Sequence, residues 1–184
     1  AESAGLYELL AGVTVPSPNA SAKAACVVGG MLAGADSIDD LDLLRHGGMT
    51  RLFGGVRAPS TLGTFLRSFT HGHVQQLDAV NAALLAGLAE RVPGLLAGGD
   101  GFATVDVDDT VREVHGHAKQ GAAFGYTRQR GLNIQLATIS TPLAAPVIAR
   151  ARLRSGNTTS AKGAGRLLAQ ALTTARGAGV TGQI

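Results

Sequence analysis

The side chains best suited to chemistry lie in one short segment, Val105-Asp106-Val107-Asp108-Asp109-Thr110-Val111. Apolar and acidic residues alternate there, which predicts a β-strand whose side chains point to opposite faces in turn. Asp106 and Asp108 are therefore expected to share one face, while Asp109 begins a turn. Neighbouring carboxylates repel each other unless they share a proton or bind a hard cation through oxygen. The segment thus predicts a metal site at Asp106 and Asp108.

Composition indicates a globular chain. The 184 residues are 45% hydrophobic, which is enough to bury a core. Cys26 is the only cysteine, so no intramolecular disulfide forms and a reducing, cytoplasmic setting is expected. The longest apolar stretch, residues 24–34, is too short to span a bilayer and predicts a buried helix instead. No membrane partner is expected.

Charge is distributed unevenly along the chain. Residues 1–100 carry six Lys and Arg against nine Asp and Glu, whereas residues 101–184 carry ten against four. The second part therefore has a net charge of +6, and thirteen of the sixteen basic residues of the whole chain are arginine. Arginine suits bidentate contacts with phosphate. This asymmetry predicts a polyanionic partner such as DNA, although a basic face that only aids solubility is the alternative.

The first part of the sequence has the periodicity of helices. Ser37 and Asp40 form a capping-box pattern, Pro59-Ser60 begins another helix, and apolar residues from Val74 to Leu88 recur every three or four positions until Pro93. We therefore predict a helical region over residues 1–98, with DNA binding through a helix-turn-helix or dimerisation as its possible roles.

Strand patterns dominate residues 99–184. Three strands are predicted at residues 103–107, 133–139 and 146–153, followed by a helix over residues 161–175. Val180–Ile184 then resembles the start of a fourth strand. The connections between the three strands are too short for parallel crossovers, so they are expected to be antiparallel. The predicted fold class is α+β.

Two families have a strand-end motif of this kind. Asp106-Val107-Asp108-Asp109-Thr110-Val111 resembles the opening motif of haloacid-dehalogenase-like phosphatases, which implies Asp106 as a nucleophile and Asp108 as general acid and base. That family implies a parallel, doubly wound sheet. The short connections of this sequence favour a different family.

The wider sequence resembles DDE transposases of the insertion-sequence 1380 group. The resemblance is carried by residues 106–110 together with His115-Gly116-His117-Ala118-Lys119-Gln120-Gly121, Gly125-Tyr126, Arg130-Gly131-Leu132-Asn133, Ser140-Thr141-Pro142-Leu143, and upstream Gly47-Gly48-Met49 and residues 58–67. It implies a ribonuclease-H-like core in which three antiparallel strands, a helix and a fourth strand follow one another. It also implies metal-dependent cleavage and transfer of DNA strands at transposon ends, with Mg²⁺ or Mn²⁺ held by three carboxylates.

By this resemblance Asp108 is the first catalytic aspartate and metal ligand, with Asp106 as the alternative on the same face and Asp109 in a turn or supporting position. The second aspartate and the glutamate of the family are expected after the fourth strand, beyond Ile184. The core is therefore expected to be truncated, and this polypeptide alone to be inactive in strand transfer. The remaining alternative is a non-catalytic module that binds DNA or forms a homodimer.

The basic residues of the second part supply the predicted DNA contacts. Lys119, Arg128 and Arg130 fall in the connection between the first two strands, where an ordinary solvated loop is an equal alternative. Arg150, Arg152 and Arg154 alternate along the third strand and are expected to form a row that faces phosphate. His115 and His117 lack a third ligand nearby in sequence, so we interpret them as polar contacts rather than a zinc site.

Overall fold

The computed structural model describes residues 2–52, 54–115 and 118–184. Helices dominate the N-terminal part and an open antiparallel sheet the C-terminal part, which confirms the α+β expectation. The chain packs as two compact units, Ala1–Val80 and Asn81–Ile184. The division lies within a long helix, whereas the sequence pattern predicts it between residues 98 and 99.

The N-terminal unit is built from helices. Its capping box forms as predicted: the Ser37 amide donates to Asp40 Oδ2 (2.9 Å), and the Asp40 amide donates to Ser37 Oγ (3.3 Å). The segment that follows is a 3₁₀-helix, and its Leu41 packs with Cys26 and Leu62 in a small core. The helices of this unit are α1 (Leu6–Ala11), α2 (Ala20–Leu32), α3 (Pro59–Arg67) and the first half of α4 (His71–Arg91), with 3₁₀-helices at Glu2–Ala4, Asp39–Arg45 and Gly47–Arg51.

Helix α2 contains the apolar stretch of residues 24–34, which we had expected to be a buried helix. Only its face with Cys26, Gly29 and Gly30 is buried, while Met31 and Leu32 are exposed. The helix forms as predicted, but its burial is only partial, because it has neighbours on only part of its surface. Of the helices that the structure describes, none combines the length and the apolar character needed to cross a bilayer.

The C-terminal unit contains a sheet of four strands, β1 (Thr104–Glu113), β2 (Ala123–Phe124), β3 (Arg130–Thr141) and β4 (Ala144–Ser155). Strand β3 pairs antiparallel with each of the others. Strand β1 is twice as long as predicted, and Asp109 lies opposite Gln135 in the middle of it. The expected turn at Asp109 is therefore wrong, because a polar partner across the sheet lets the strand continue through the acidic residues.

Helix α5 (Ala164–Gly177) covers one face of this sheet, which we call the inner face. Its buried residues Leu167, Ala171 and Ala175 pack with sheet residues such as Ala137 and Ile139. After α5 the chain returns to the start of β1, where the Ala103 amide donates to the carbonyl of Gln183 (2.8 Å) within an isolated parallel bridge. This parallel approach lies where the sequence predicted the start of a further strand.

Candidate functional site

The acidic residues of β1 divide between the two faces of the sheet. Asp106 and Asp108 are exposed on the face opposite α5, which we call the outer face, together with Thr104 and Thr110. Asp109 lies on the inner face with the half-buried Val105, Val107 and Val111. The prediction that Asp106 and Asp108 share one face is therefore confirmed.

The pair Asp106 and Asp108 is open to solvent. Residues two apart on a strand are separated by about 7 Å, and at that distance two unit charges in water repel by only about 0.6 kcal/mol. The backbone amide of Asp109 also donates to Asp108 Oδ1 (2.8 Å), which orients that carboxylate along the strand. The repulsion inferred from the sequence is therefore small and does not by itself require a bound cation.

The donor set nevertheless fits a hard divalent cation, because both side chains offer carboxylate oxygen. No group of three or more His, Cys, Asp or Glu side chains within residues 2–52, 54–115 and 118–184 is arranged to hold a metal. Further oxygen ligands would have to come from water or from a phosphate group. His117 lies outside the described residues, so the interpretation of His115 and His117 as polar contacts stays a prediction.

Apolar side chains adjoin the acidic pair on the outer face. Asp108 lies opposite Leu136 of β3, and Asp106 lies opposite Thr138. Leu136 is half-buried, and beyond β3 the outer side chains Ile148 and Leu153 of β4 are exposed. The carboxylates therefore stand at the edge of a partly apolar surface.

The inner face holds a polar network that the sequence analysis missed. Asp109 accepts a hydrogen bond from Asn133 Nδ2 (2.5 Å) and pairs with Arg154 Nη2 (3.2 Å), and the side chains of Asp109 and Arg154 are each only 7% exposed. Arg154 also donates through Nε and Nη2 to Asn133 Oδ1 (2.9 and 2.6 Å). Asp109 is thus the buried partner of a cation rather than a residue in a turn.

The same network fixes the segment between β4 and α5. Arg154 Nη1 donates to the carbonyl oxygens of Thr159 (3.2 Å) and Lys162 (2.6 Å). Gln135 Nε2 donates to the carbonyl of Ser160 (2.8 Å), while Gln135 Oε1 is buried without a partner among the described residues. The inner-face polar side chains therefore hold this loop in place.

Hydrogen bonds dominate the electrostatics of Asp109. Those from the side chains of Asn133 and Ser160, with the charge of Arg154, hold the pKa of the Asp109 carboxyl below its usual value of 3.8, although burial acts in the opposite direction. Asp109 is therefore ionised at neutral pH and is occupied as an internal acceptor.

Arg150, Arg152 and Arg154 do lie on one side of β4, as their alternation predicted, but that side is the inner face. Arg152 donates to Gln170 Oε1 (2.9 Å) and to the Gly163 carbonyl (3.2 Å), and Arg150 Nε donates to Thr174 Oγ1 (2.9 Å). The structure thus corrects the expected surface row: α5 and the loop before it cover this side of the strand. Contact of these arginines with DNA stays a prediction.

The other predicted DNA contacts lie on the connection between β1 and β3. Lys119 and Arg128 are exposed, and Arg128 has a left-handed backbone (φ 59°). Arg130 is half-buried at the start of β3, directly opposite Phe124 of β2. Their binding to DNA also stays a prediction.

A signal for the inner-face network was present in the sequence. Asn133 and Gln135 alternate with Ile134 and Leu136, and Arg154 belongs to a similar alternation on the next strand. Polar residues that repeat every second position on paired strands can meet on one face. The register that brings Asn133 opposite Arg154 was the missing information.

No family model matches the chain, and comparisons with curated proteins and with solved structures gave no match. The resemblance to insertion-sequence transposases therefore remains an expectation.

Proposed function

We propose that the C-terminal unit is part of a ribonuclease-H-like core for metal-dependent cleavage and transfer of DNA strands, with Asp108 as the main ligand of a divalent cation and Asp106 as its neighbour. The observation that carries the proposal is the placement of these two carboxylates. Both are exposed side by side on the outer face of a long strand, where a DNA phosphate and a cation have access to them.

The order of the elements supports the same proposal. Strands β1, β3 and β4 are antiparallel, α5 follows, and the segment at Gln183 then runs parallel to β1. This is the layout that the transposase resemblance implies. The phosphatase resemblance implies a parallel, doubly wound sheet, and the antiparallel pairing of β1 with β3 and of β3 with β4 does not agree with it. We therefore do not propose a phosphatase.

The three aspartates of β1 have separate roles in this proposal. Asp108 and Asp106 provide the oxygen ligands, and Asp109 fixes the strand from the inner face through Asn133 and Arg154. A Mg²⁺ or Mn²⁺ ion bound there would supply Lewis-acid activation of a water or a 3′-hydroxyl and neutralise charge on the leaving oxygen. Water, a DNA phosphate or further carboxylates would fill the remaining sites on the metal, because these two carboxylates alone leave sites open.

Mn²⁺ binding in the presence of duplex DNA tests this proposal. The protein is titrated with Mn²⁺, and binding is measured as the loss of the electron paramagnetic resonance signal of the free ion. We expect Asp108→Asn to weaken Mn²⁺ binding by at least about tenfold and Asp106→Asn to weaken it less, since oxygen charge sets the affinity of such sites. The control is Glu113→Gln, which removes the same charge from the exposed end of β1. Equal Mn²⁺ affinity in the wild type and both Asp variants would refute the proposal.

A non-catalytic DNA-binding module is the second candidate. Positions 101–184 contain ten basic and four acidic residues, and this excess of positive charge favours a DNA-binding role. Salt-dependent binding of duplex DNA that is unchanged by Mn²⁺ and by both Asp variants would support this candidate instead.

A further inference from the structure

The two most exposed aromatic side chains in the described part of the chain lie two positions apart on one loop. Phe124 is 68% exposed at the end of β2, and Tyr126 is 76% exposed just after it. The whole sequence has only five Phe, two Tyr and no Trp. Two rings this exposed contribute little to the packing of the sheet. A bound ligand would explain why two large aromatic side chains are exposed at one place.

The segment that carries these rings is positively charged. Residues 118–130 contain Lys119, Arg128 and Arg130 and no acidic residue. The side chains of Lys119 and Arg128 are exposed. Arg130 on β3 is the cross-strand partner of Phe124 on β2. A cationic loop with protruding aromatic rings matches a polyanion whose bases can stack, which is the chemistry of single-stranded nucleic acid.

The loop is held firmly enough to act as a platform. Gly125 lies so close to the Gly156 carbonyl that a side chain there would overlap it. Gly121 accepts hydrogen bonds from the Gly156 amide (3.1 Å) and from Ser155 Oγ (3.0 Å), and the Arg128 amide closes a turn on the Gly125 carbonyl (3.1 Å). Anchoring on both sides lowers the entropy that is lost when a base stacks on the rings.

We propose that Phe124 and Tyr126 form a stacking platform for unpaired bases of single-stranded DNA, with Lys119 and Arg128 contacting its phosphates. The inference rests on the proposed function for the choice of DNA; the stacking chemistry follows from the loop itself. An unpaired segment is favoured over a duplex, because bases in a duplex are already stacked on one another and do not offer a free face.

The sequence provides its own spectroscopic probe. Tyr7 and Tyr126 are the only tyrosines and tryptophan is absent, so in a Tyr7→Phe background the tyrosine emission comes from Tyr126 alone. Stacking of a thymine on Tyr126 should quench this emission. Binding is measured in parallel by the fluorescence anisotropy of a labelled twelve-nucleotide oligothymidine, with a twelve-base-pair duplex as the second ligand, all in EDTA.

We expect oligothymidine to quench Tyr126 and to bind more tightly than the duplex. Replacement of either ring by alanine, Phe124→Ala or Tyr126→Ala, should weaken binding about five- to hundredfold, whereas Tyr126→Phe keeps a stacking ring and should stay within about twofold. The control Phe102→Ala removes an exposed aromatic ring outside the loop and should change nothing. Lys119→Ala should make the fall of log K with log salt less steep, reducing the magnitude of the slope by about 0.7.

Three outcomes would overturn the proposal: no binding of oligothymidine, binding without quenching of Tyr126, or equal affinity in the wild type and both alanine variants. A loop that docks a protein surface would give the first of these. Circular dichroism of each variant establishes that it is folded. Because EDTA removes divalent cations, failure here is distinguishable from failure of the Mn²⁺ titration at Asp106 and Asp108.

Discussion

The buried pair of Asp109 and Arg154 gives the sharpest test of how the C-terminal unit is held together. We consider the substitution Asp109→Ala. It removes the carboxylate that accepts from Asn133 Nδ2 (2.5 Å) and pairs with Arg154 Nη2 (3.2 Å), at a position where both partners of the ion pair are only 7% exposed. In the variant, Nδ2 of the buried Asn133 loses its acceptor, and the buried guanidinium of Arg154 loses the carboxylate beside it.

The expected cost follows from these two losses. An unsatisfied buried donor costs about 1–3 kcal/mol, and a hydrogen bond to a charged group contributes about 1.5–3 kcal/mol. Arg154 keeps its bonds to the carbonyls of Thr159 and Lys162, which limits the total. We therefore expect the free energy of unfolding to fall by about 3–5 kcal/mol, the range found when one partner of a buried ion pair is removed.

Urea unfolding followed by circular dichroism measures this loss, and hydrogen exchange of the β3 amides locates it in the sheet. The control is Asp106→Ala, three residues away on the same strand but exposed, for which we expect a change within about 0.5 kcal/mol. A loss below about 1 kcal/mol for Asp109→Ala, or one equal to that of the control, would refute the structural role assigned to the pair.

The pH dependence of the same variant supplies a second readout. Hydrogen bonds from Asn133 and Ser160, with the charge of Arg154, hold the pKa of Asp109 below 3.8 in the folded state. Its stabilising contribution is therefore complete above about pH 4 and is lost as the pH falls through the lowered pKa of the folded state. The difference in free energy of unfolding between the wild type and Asp109→Ala should narrow below pH 4. A difference that stays constant down to pH 2.5 would contradict the predicted direction of the pH dependence.

Two further pairs of substitutions test the packing of the C-terminal unit by urea unfolding. Gly131→Ala should destabilise by about 1–3 kcal/mol, because its Cβ would lie 2.5 Å from the carbonyl oxygen of Arg112, whereas Gly165→Ala, in open space on α5, should stabilise by about 0.5–1 kcal/mol. Leu167→Ala should cost about 2–5 kcal/mol, since Leu167 is buried under the sheet, and the neighbouring exposed Leu168→Ala less than about 1 kcal/mol. Equal effects of the two glycine substitutions would contradict the close approach of Gly131 to Arg112, and equal effects of the two leucine substitutions would contradict the burial of Leu167.

Local patterns allowed much of the fold to be predicted. The capping box of Ser37 and Asp40 forms with both expected hydrogen bonds, and the apolar repeat ending at Pro93 is helix α4. The three predicted strands exist and are longer than expected, while the two-residue strand β2 was missed. These successes share one cause: caps, proline stops and periodicity act within a few residues of the chain, so the sequence displays them directly.

The candidate site was predictable only in part. The period of two placed Asp106 and Asp108 on one face, as the structure has them. By hydrophobicity alone Ile134 and Leu136 would be buried, yet the buried positions on the same strand are Asn133 and Gln135. The polar side chains are turned inward because Asp109 and Arg154 bond to Asn133 there, and the carbonyl of Ser160 accepts from Gln135 Nε2.

The sequence by itself determined the α+β class, the alternation along each strand and the charge excess of the second part. Only the tertiary structure decided which face of β4 its arginines occupy, that Asp109 is a buried partner rather than a turn residue, and that Phe124 and Tyr126 are exposed together. The physical reason is that alternation fixes which residues share a face but not which face is covered. That choice depends on strand register and on the position of α5, which are set by contacts between residues far apart in the chain.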